Sequence, residues 1–326
     1  MKVGRHLLLA AGVASVAYLV ATTGAERFLG PVRTLSWRIA VFIALPYALV
    51  AFLHTVAWRL IFVRRPFSLR QLFSVRLAGE AVNLGTASVG GEPVKVYLLR
   101  PWVPMAEASA ALVVDKTAIT IGQVLFLAAG LVVAVVSFPV RPDFLRAMAA
   151  LLGLQIVVVA AFVLVQYAGL GGWTLRVLDR LGFRSARARM SGLVRFDRML
   201  AASYRERPGA VLACVLVHLV GWLVGSLEVY LVLRWLNVSA SFGVALAIDA
   251  FGTGIKFLAF SIPGALGVLE GGYMLVFSAF GLGGGLGLSF TLIRRLRMLA
   301  WSAAGLVVLA LLNAAPEPVS VGAPEA

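Results

Sequence analysis

The residues with the most chemistry to offer are charged side chains set inside apolar stretches. Glu80, Glu92, Lys95, Asp115, Lys116, Glu228, Asp249, Lys256 and Glu270 all fall within or at the edge of long hydrophobic runs. An ionised group near a bilayer centre costs at least about 2.5–3.5 kcal/mol on insertion scales, so such groups persist where they pair or line a polar pathway. The alternative is a side chain that snorkels to the headgroup level. Arg59, Arg100 and Arg234 suit that alternative, and the Asp115-Lys116 pair is compatible with it. Glu92, Lys95, Lys256 and Glu270 suit it less well, because they flank glycine-containing breaks. A further cluster, Arg294-Arg295-Leu296-Arg297, opens the last hydrophobic run. Arginine is the preferred side chain for bidentate phosphate binding. Together with Lys95 and Lys256, the three arginines are expected to form a cavity site for an anionic headgroup; a snorkelling anchor is the competing expectation.

Signatures of enzyme chemistry are missing. His6, His54 and His218 are scattered and show no metal-ligand spacing with each other or with a Glu. His218 reads as a packed or hydrogen-bonded helix residue rather than a base. The one cysteine, Cys214, sits in an apolar run and has no sequence neighbour suited to a metal site or an internal disulfide. Neither a Gly-x-Ser-x-Gly elbow nor a Walker-type phosphate loop occurs. The expectation is a protein with no metal, no cofactor and no catalytic residues, and so not an enzyme.

The elements that must position these charges follow from hydropathy. The chain of 326 residues is 61% hydrophobic and 13% charged, with a mean hydropathy of +0.96. Soluble domains are about half apolar and a quarter charged. Apolar runs of about 20 residues, enough to cross a bilayer as a helix, recur at residues 6–23, 36–63, 108–138, 147–168, 210–233 and 288–313. The first begins like a signal peptide but is long and lacks a convincing cleavage site, so it reads as a retained helix. These features predict an all-α polytopic membrane protein: one transmembrane domain over 1–313 and a Pro-rich, disordered tail at 314–326.

Two stretches depart from the pattern, 68–100 and 242–280. The first divides at Gly85-Thr86-Ala87-Ser88-Val89-Gly90-Gly91, the second at Ser261-Ile262-Pro263-Gly264-Ala265-Leu266-Gly267. Gly90, Gly91, Pro93, Pro263, Gly264 and Gly267 are the expected structural breaks. Each break is followed by a Glu and then a Tyr: Gly91-Glu92-Pro93-Val94-Lys95-Val96-Tyr97 and Gly267-Val268-Leu269-Glu270-Gly271-Gly272-Tyr273. Irregular backbone in a membrane is tolerated only where protein or a watery cavity covers it. Paired broken segments are the layout of inverted repeats in transporters; chance recurrence in a glycine-rich chain is the other explanation.

The net charge of +15 lies mostly in short segments between apolar runs. That is the positive-inside pattern rather than a nucleic-acid surface. The basic stretch 169–208 reads as an amphipathic helix on the cytoplasmic surface or as a solvated basic loop. Placing it inside puts Lys2, Arg5, Arg64, Arg65 and Arg100 inside too, and the uncharged turn 237–241 outside. This requires 68–100 to be a re-entrant hairpin, and it leaves both termini cytoplasmic. It also puts Arg294-Arg295-Leu296-Arg297 towards the outside, against the rule. Either the topology fails there or these arginines face an internal cavity. The glycine run 281–287 reads equally as a close-packing surface or a linker.

The motif Gly90-Gly91-Glu92-Pro93-Val94-Lys95-Val96-Tyr97-Leu98-Leu99 resembles that of the flippase-like integral membrane family, which includes the membrane half of lysylphosphatidylglycerol synthases. Asp115-Lys116 resembles its acidic-basic pair, and Pro263-Gly264-Ala265-Leu266-Gly267-Val268-Leu269-Glu270-Gly271 its second motif. The resemblance spans essentially the whole chain, with the motifs in order. It implies lipid handling: the best-understood members move aminoacylated phosphatidylglycerol, and others accompany glycan, polyprenyl-linked sugar or hopanoid pathways. The sequence ends soon after Asn313, so aminoacyl-transferase activity is expected to be absent, which also puts an aminoacyl-lipid substrate in question.

The resulting expectation is a flippase in the bacterial inner membrane, moving an anionic phospholipid or a polyprenyl-phosphate-linked lipid. Glu92, Lys95, Tyr97, Asp115, Lys116, Lys256 and Glu270 would line the pathway, and Arg294, Arg295 and Arg297 would hold the phosphate. The alternative is a non-transporting scaffold that docks a glycosyltransferase or lipid-synthesis enzyme through 169–208. An intramembrane lipid-modifying enzyme ranks last, for want of an acid/base or nucleophile set.

Overall fold

The computed structural model describes residues 37–84, 90–168, 191–259, 262 and 265–314. The expected first span, the tip 85–89, Pro263, Gly264, the first part of the basic stretch and nearly all of the tail lie outside the described residues. Among the described residues there are ten helices and no strand: α1 (Arg38–Ile61), α2 (Leu69–Asn83), α3 (Gly91–Leu99), α4 (Met105–Ser137), α5 (Pro142–Ala168), α6 (Ser191–Glu206), α7 (Pro208–Trp235), α8 (Phe242–Leu258), α9 (Val268–Ala279) and α10 (Gly284–Ala314). Five of them, α1, α4, α5, α7 and α10, are long and apolar enough to cross a membrane. The protein is a polytopic α-helical membrane protein, as the hydropathy predicts.

Local sequence sets the helix starts. At α2 the Ser68 hydroxyl accepts from the Gln71 N–H at 3.2 Å, and the Gln71 side chain accepts from the Ser68 N–H at 2.7 Å, a reciprocal capping box. Ser241 caps α8 by accepting from the Val244 N–H at 3.3 Å. Pro208 occupies the first turn of α7, where its missing N–H is harmless.

The two broken stretches become two pairs of short helices. At 1.5 Å per residue, α2 (15 residues) and α3 (9 residues) are about 22 and 14 Å long, too short to cross a core of about 30 Å. They pack on each other through glycine. A Cβ on Gly91 would stand 1.9 Å from the Gly79 carbonyl oxygen, and a Cβ on Gly79 would strike the Lys95 side chain at 2.4 Å. The Gly91 N–H donates to Asn83 Oδ1 at 2.8 Å, tying the start of α3 to the end of α2. The second pair, α8 and α9, is separated by a turn in which Ala265 (φ 48°) and Gly267 (φ 78°) take left-handed conformations. Glu270 then reaches back to accept from the Gly267 N–H at 2.8 Å.

The glycine run 281–287 is both a turn and a packing surface. Gly281 and Gly283 have φ of 73° and 81° and reverse the chain. Gly284 begins α10, and Gly287 lies so close to α9 that a Cβ there would be 2.4 Å from the Tyr273 carbonyl oxygen. Centrally, α7 packs against α1, α4 and α8, while α10 packs against α2 and α9. One apolar core gathers Phe251, Tyr273, Phe277 and Phe290; another gathers Trp58, Phe62, Phe67, Leu99 and Val114.

The described part of the basic stretch is helical and amphipathic, but its apolar face is covered by protein. Leu200 is buried, Phe196 and Met199 pack on the second core, and the Tyr204 hydroxyl donates to Gln166 at 2.7 Å. Part of that face packs against α4.

Gly91→Ala, which forces a Cβ onto backbone, should lower the thermal unfolding midpoint of the detergent-purified protein by several degrees, because overpacking costs about 1–3 kcal/mol or more. Gly153→Ala on α5, where a Cβ meets nothing within 4 Å, should leave it unchanged.

Candidate functional site: a charged cavity between the broken helices

Two adjoining cavities of about 180 and 260 Å³ occupy the bundle. They share Tyr47, Leu77, Glu80, Lys256, Arg297 and Met298 in their walls. The charged lining of the larger consists of Arg76, Lys116, Lys256, Arg294 and Arg297 against Glu80, Glu228 and Asp249. Five cations and three carboxylates line it; with Lys95, Glu92 and Asp115 just behind the wall included, six cations meet five carboxylates, which leaves one positive charge in excess.

The first charged bank comes from α2, α3 and α4. Lys95, almost wholly buried, donates to Glu80 at 2.5 Å and to Glu92 at 3.1 Å. Lys116 pairs with Glu92 at 2.8 Å and lies 3.8 Å from Glu80. The Asn83 amide donates to Glu92 at 2.8 Å and to Glu80 at 3.3 Å. Two carboxylates and two ammonium groups thus neutralise one another, with Asn83 bridging the carboxylates. Behind this bank, Arg76 approaches Asp115 at 3.4 Å, and Asp115 is also 2.9 Å from His218 Nε2.

The second bank comes from α7, α8, α9 and α10. Arg294 donates to Glu228 at 3.1 Å, to Asp249 at 2.8 Å and to the Tyr273 hydroxyl. Tyr273 in turn donates to Asp249 at 3.2 Å. Arg297 donates to Glu228 at 2.7 Å and lies over the Tyr47 ring at 4.4 Å. Arg295 points away from both and pairs with Glu270. Helical geometry explains the split: positions three apart share a face, whereas the next residue is rotated by about 100°. The arginines sit well inside the 31-residue α10, each with a carboxylate partner. This accounts for their conflict with the positive-inside pattern.

The banks repeat one plan. In each, a short helix carries a carboxylate (Glu80 or Asp249), the second short helix carries a Glu in its first turn (Glu92 or Glu270), and the following long helix supplies the cations (Lys116, or Arg294 and Arg295). Lys256 stands apart: it lines both cavities and has no ion-pair partner among the described residues.

Of the residues singled out in the sequence, Glu80, Lys116, Glu228, Asp249, Lys256, Arg294 and Arg297 line the cavity. Glu92, Lys95, Arg295 and Glu270 are absent from the lining and form a supporting layer of ion pairs. Lys95 is withdrawn because the bare backbone of Gly79 admits its side chain. Tyr97 is absent too, and lies under the Arg100 guanidinium at 4.1 Å. Asp115 is buried against Arg76 and His218, so it does not snorkel. Gly90, Gly91, Pro93 and Gly267 do stand at the starts of α3 and α9. Sequence reasoning left out Arg76 and the pairing of the histidines, although His218 is the packed, hydrogen-bonded helix residue expected. His54 and His218, 164 positions apart, meet at 2.6 Å, and Cys214 Sγ lies 4.0 Å from Asp115. Asp115, Cys214 and His218 bring potential ligand atoms within 4.8 Å of one another, but the Arg76 guanidinium on the carboxylate disfavours a cation there. The hydrophobic pattern marked these positions as buried but carried no signal of their pairing.

A bundle of spanning helices interleaved with two pairs of short ones, enclosing an ionic cavity, has the architecture of membrane proteins that handle polar groups within the bilayer. The chain belongs to the family described as the lysylphosphatidylglycerol synthase TM region, whose model matches residues 6–308. It is 26% identical over 324 residues to a UPF0104 membrane protein of Methanothermobacter thermautotrophicus, with 91% of each chain covered. No solved structure matches it.

Because Glu228 holds both Arg294 and Arg297, Glu228→Gln should cost about 3–5 kcal/mol, the size expected when a buried pair loses one partner. Adding Arg297→Gln should restore part of the loss in a thermal or denaturant unfolding series.

Proposed function

We propose that this protein is a flippase-type transporter that carries an anionic phospholipid or a polyprenyl-phosphate-linked lipid across the cytoplasmic membrane. The observation that carries this reading is the excess positive charge in an intramembrane cavity, borne by Lys256, which has no ion-pair partner among the described residues. A lipid phosphate supplies the missing negative charge. The headgroup occupies the cavity while the acyl chains stay in the bilayer. Lys256, Arg294 and Arg297 contact the phosphate. Glu228 and Asp249 hold the arginines in place until the phosphate competes for them. Glu92 and Lys95 keep Lys116 and Glu80 in register on the opposite wall. Family membership supports a lipid-handling role, since the family is named for the membrane part of a lipid synthase. In this reading the basic stretch 169–208 and both termini face the cytoplasm.

One observation favours a second reading. The apolar face of α6 is used up against the protein, which leaves Arg195, Arg198 and Arg205 exposed for a partner. A scaffold of that kind docks a glycosyltransferase or lipid-synthesis enzyme and does not need the cavity.

Translocation of fluorescent phosphatidylglycerol in proteoliposomes separates the two. Wild type should accelerate it above protein-free vesicles. Glu92→Gln should slow it about tenfold or more, the scale of one lost charged hydrogen bond. Transport equal to wild type in Glu92→Gln, or none in wild type, moves the scaffold to first place.

A further inference from the structure

His54 on α1 and His218 on α7 approach Nδ1 to Nδ1 at 2.6 Å. Two bare nitrogens repel at that distance and two N–H groups collide, so one proton lies between them. The far end of the chain fixes which ring supplies it. His218 Nε2 lies 2.9 Å from Asp115 Oδ1, and a carboxylate can only accept, so His218 Nε2 carries a hydrogen. A neutral His218 then presents a bare Nδ1, His54 donates its Nδ1–H, and His54 Nε2 is left as an acceptor with no partner among the described residues. His54 is also part of the wall of the 260 Å³ cavity. Gly221 makes room for its ring: a Cβ there would stand 2.8 Å from His54 Cε1. The array runs from His54, a residue of the cavity wall, to the buried Asp115 carboxylate.

We propose that His54 and His218 are a proton-binding site, and that the protein takes up one proton through it when the cavity binds an anionic headgroup. The coupling rests on the headgroup reading above; the proton site itself does not. A proton from cavity water bonds to His54 Nε2. The His54 Nδ1–H proton passes to His218 Nδ1. His54 ends neutral as the other tautomer, and His218 ends as an imidazolium between His54 and Asp115. One positive charge is stored, and no heavy atom need move.

The surrounding charges make that storage conditional. Arg76 donates to Asp115 at 3.4 Å and to the His54 carbonyl at 2.8 Å, so it competes with the imidazolium for the same carboxylate. Lys116 on α4, Lys256 on α8, and Arg294 and Arg297 on α10 also oppose a new cation across the cavity. Glu80 on α2, Glu228 on α7 and Asp249 on α8 favour it but already serve these cations. Cys214 adds a thiol beside Asp115. A bound anion offsets the excess, so proton and anion assist each other, and by reciprocity each must strengthen the other's binding.

Calorimetry on the full-length protein in detergent tests this, with a short-chain phosphatidylglycerol titrated in two buffers of unlike ionisation enthalpy. Wild type should take up close to one proton per ligand as the solution is acidified, with affinity rising up to about tenfold per pH unit over the range where uptake occurs. His54→Gln should bind without uptake. The ring nitrogens of ¹⁵N-histidine-labelled wild type give a readout that needs neither ligand nor variant: His54 and His218 should titrate together at one midpoint, apart from His6. Binding without uptake, uptake persisting in His54→Gln, or rings that never titrate together overturns the proton site and leaves the headgroup reading standing. No binding of the lipid at any pH overturns the headgroup reading and the coupling with it, and the ring titration then decides the proton site alone.

Discussion

In a bundle surrounded by hydrocarbon, an ionised side chain is costly unless it has a partner or faces a polar cavity, and this constraint orders the structure. Glu228 on α7 lies within hydrogen-bonding distance of Arg294 and Arg297 on α10 only when the two helices face each other at that level. Lys95 sits between Glu80 and Glu92 only when α2 and α3 lie backbone to backbone, which Gly79 and Gly91 allow. The ion pairs and the glycine contacts are therefore one device. Buried pairs contribute little net stability over an apolar core, but a broken pair is costly. Their value here is in fixing which helices meet and at what level.

The same constraint makes the cavity informative. A wall with paired charges and a surplus of cations is an unfinished electrostatic arrangement. Lys256 is where it is most visibly unfinished, because the other cations in the wall have a carboxylate close by. In the proposed reading a lipid phosphate completes it while the acyl chains stay in the bilayer. The two banks flank this space with the same succession of short helix, break, short helix and long helix.

Much of this was legible in the sequence. Hydropathy marks the five described spanning helices, and Gly90-Gly91 marks where α3 starts. The cost of burying charge marks Lys116, Lys256, Arg294 and Arg297 as residues needing an explanation. What the sequence does not carry is direction. Arg295 differs from its neighbours only by a rotation about α10, and Lys95 from Lys116 only by the depth that Gly79 permits. The His54–His218 contact joins two helices far apart in the chain, each histidine looking like an isolated polar residue in an apolar run. Arg76 carries no such signal because α2 is much less apolar than the spanning helices, so a charge there does not stand out.

Native mass spectrometry of the detergent-purified protein, wild type beside Lys256→Gln, tests the central claim most directly. Lys256 breaks no ion pair among the described residues when replaced, so the fold should survive. The account predicts that wild type retains an anionic or polyprenyl-phosphate lipid in preference to bulk zwitterionic lipid, and that Lys256→Gln loses that preference. The same unselected lipids on both proteins would contradict a headgroup site in the cavity.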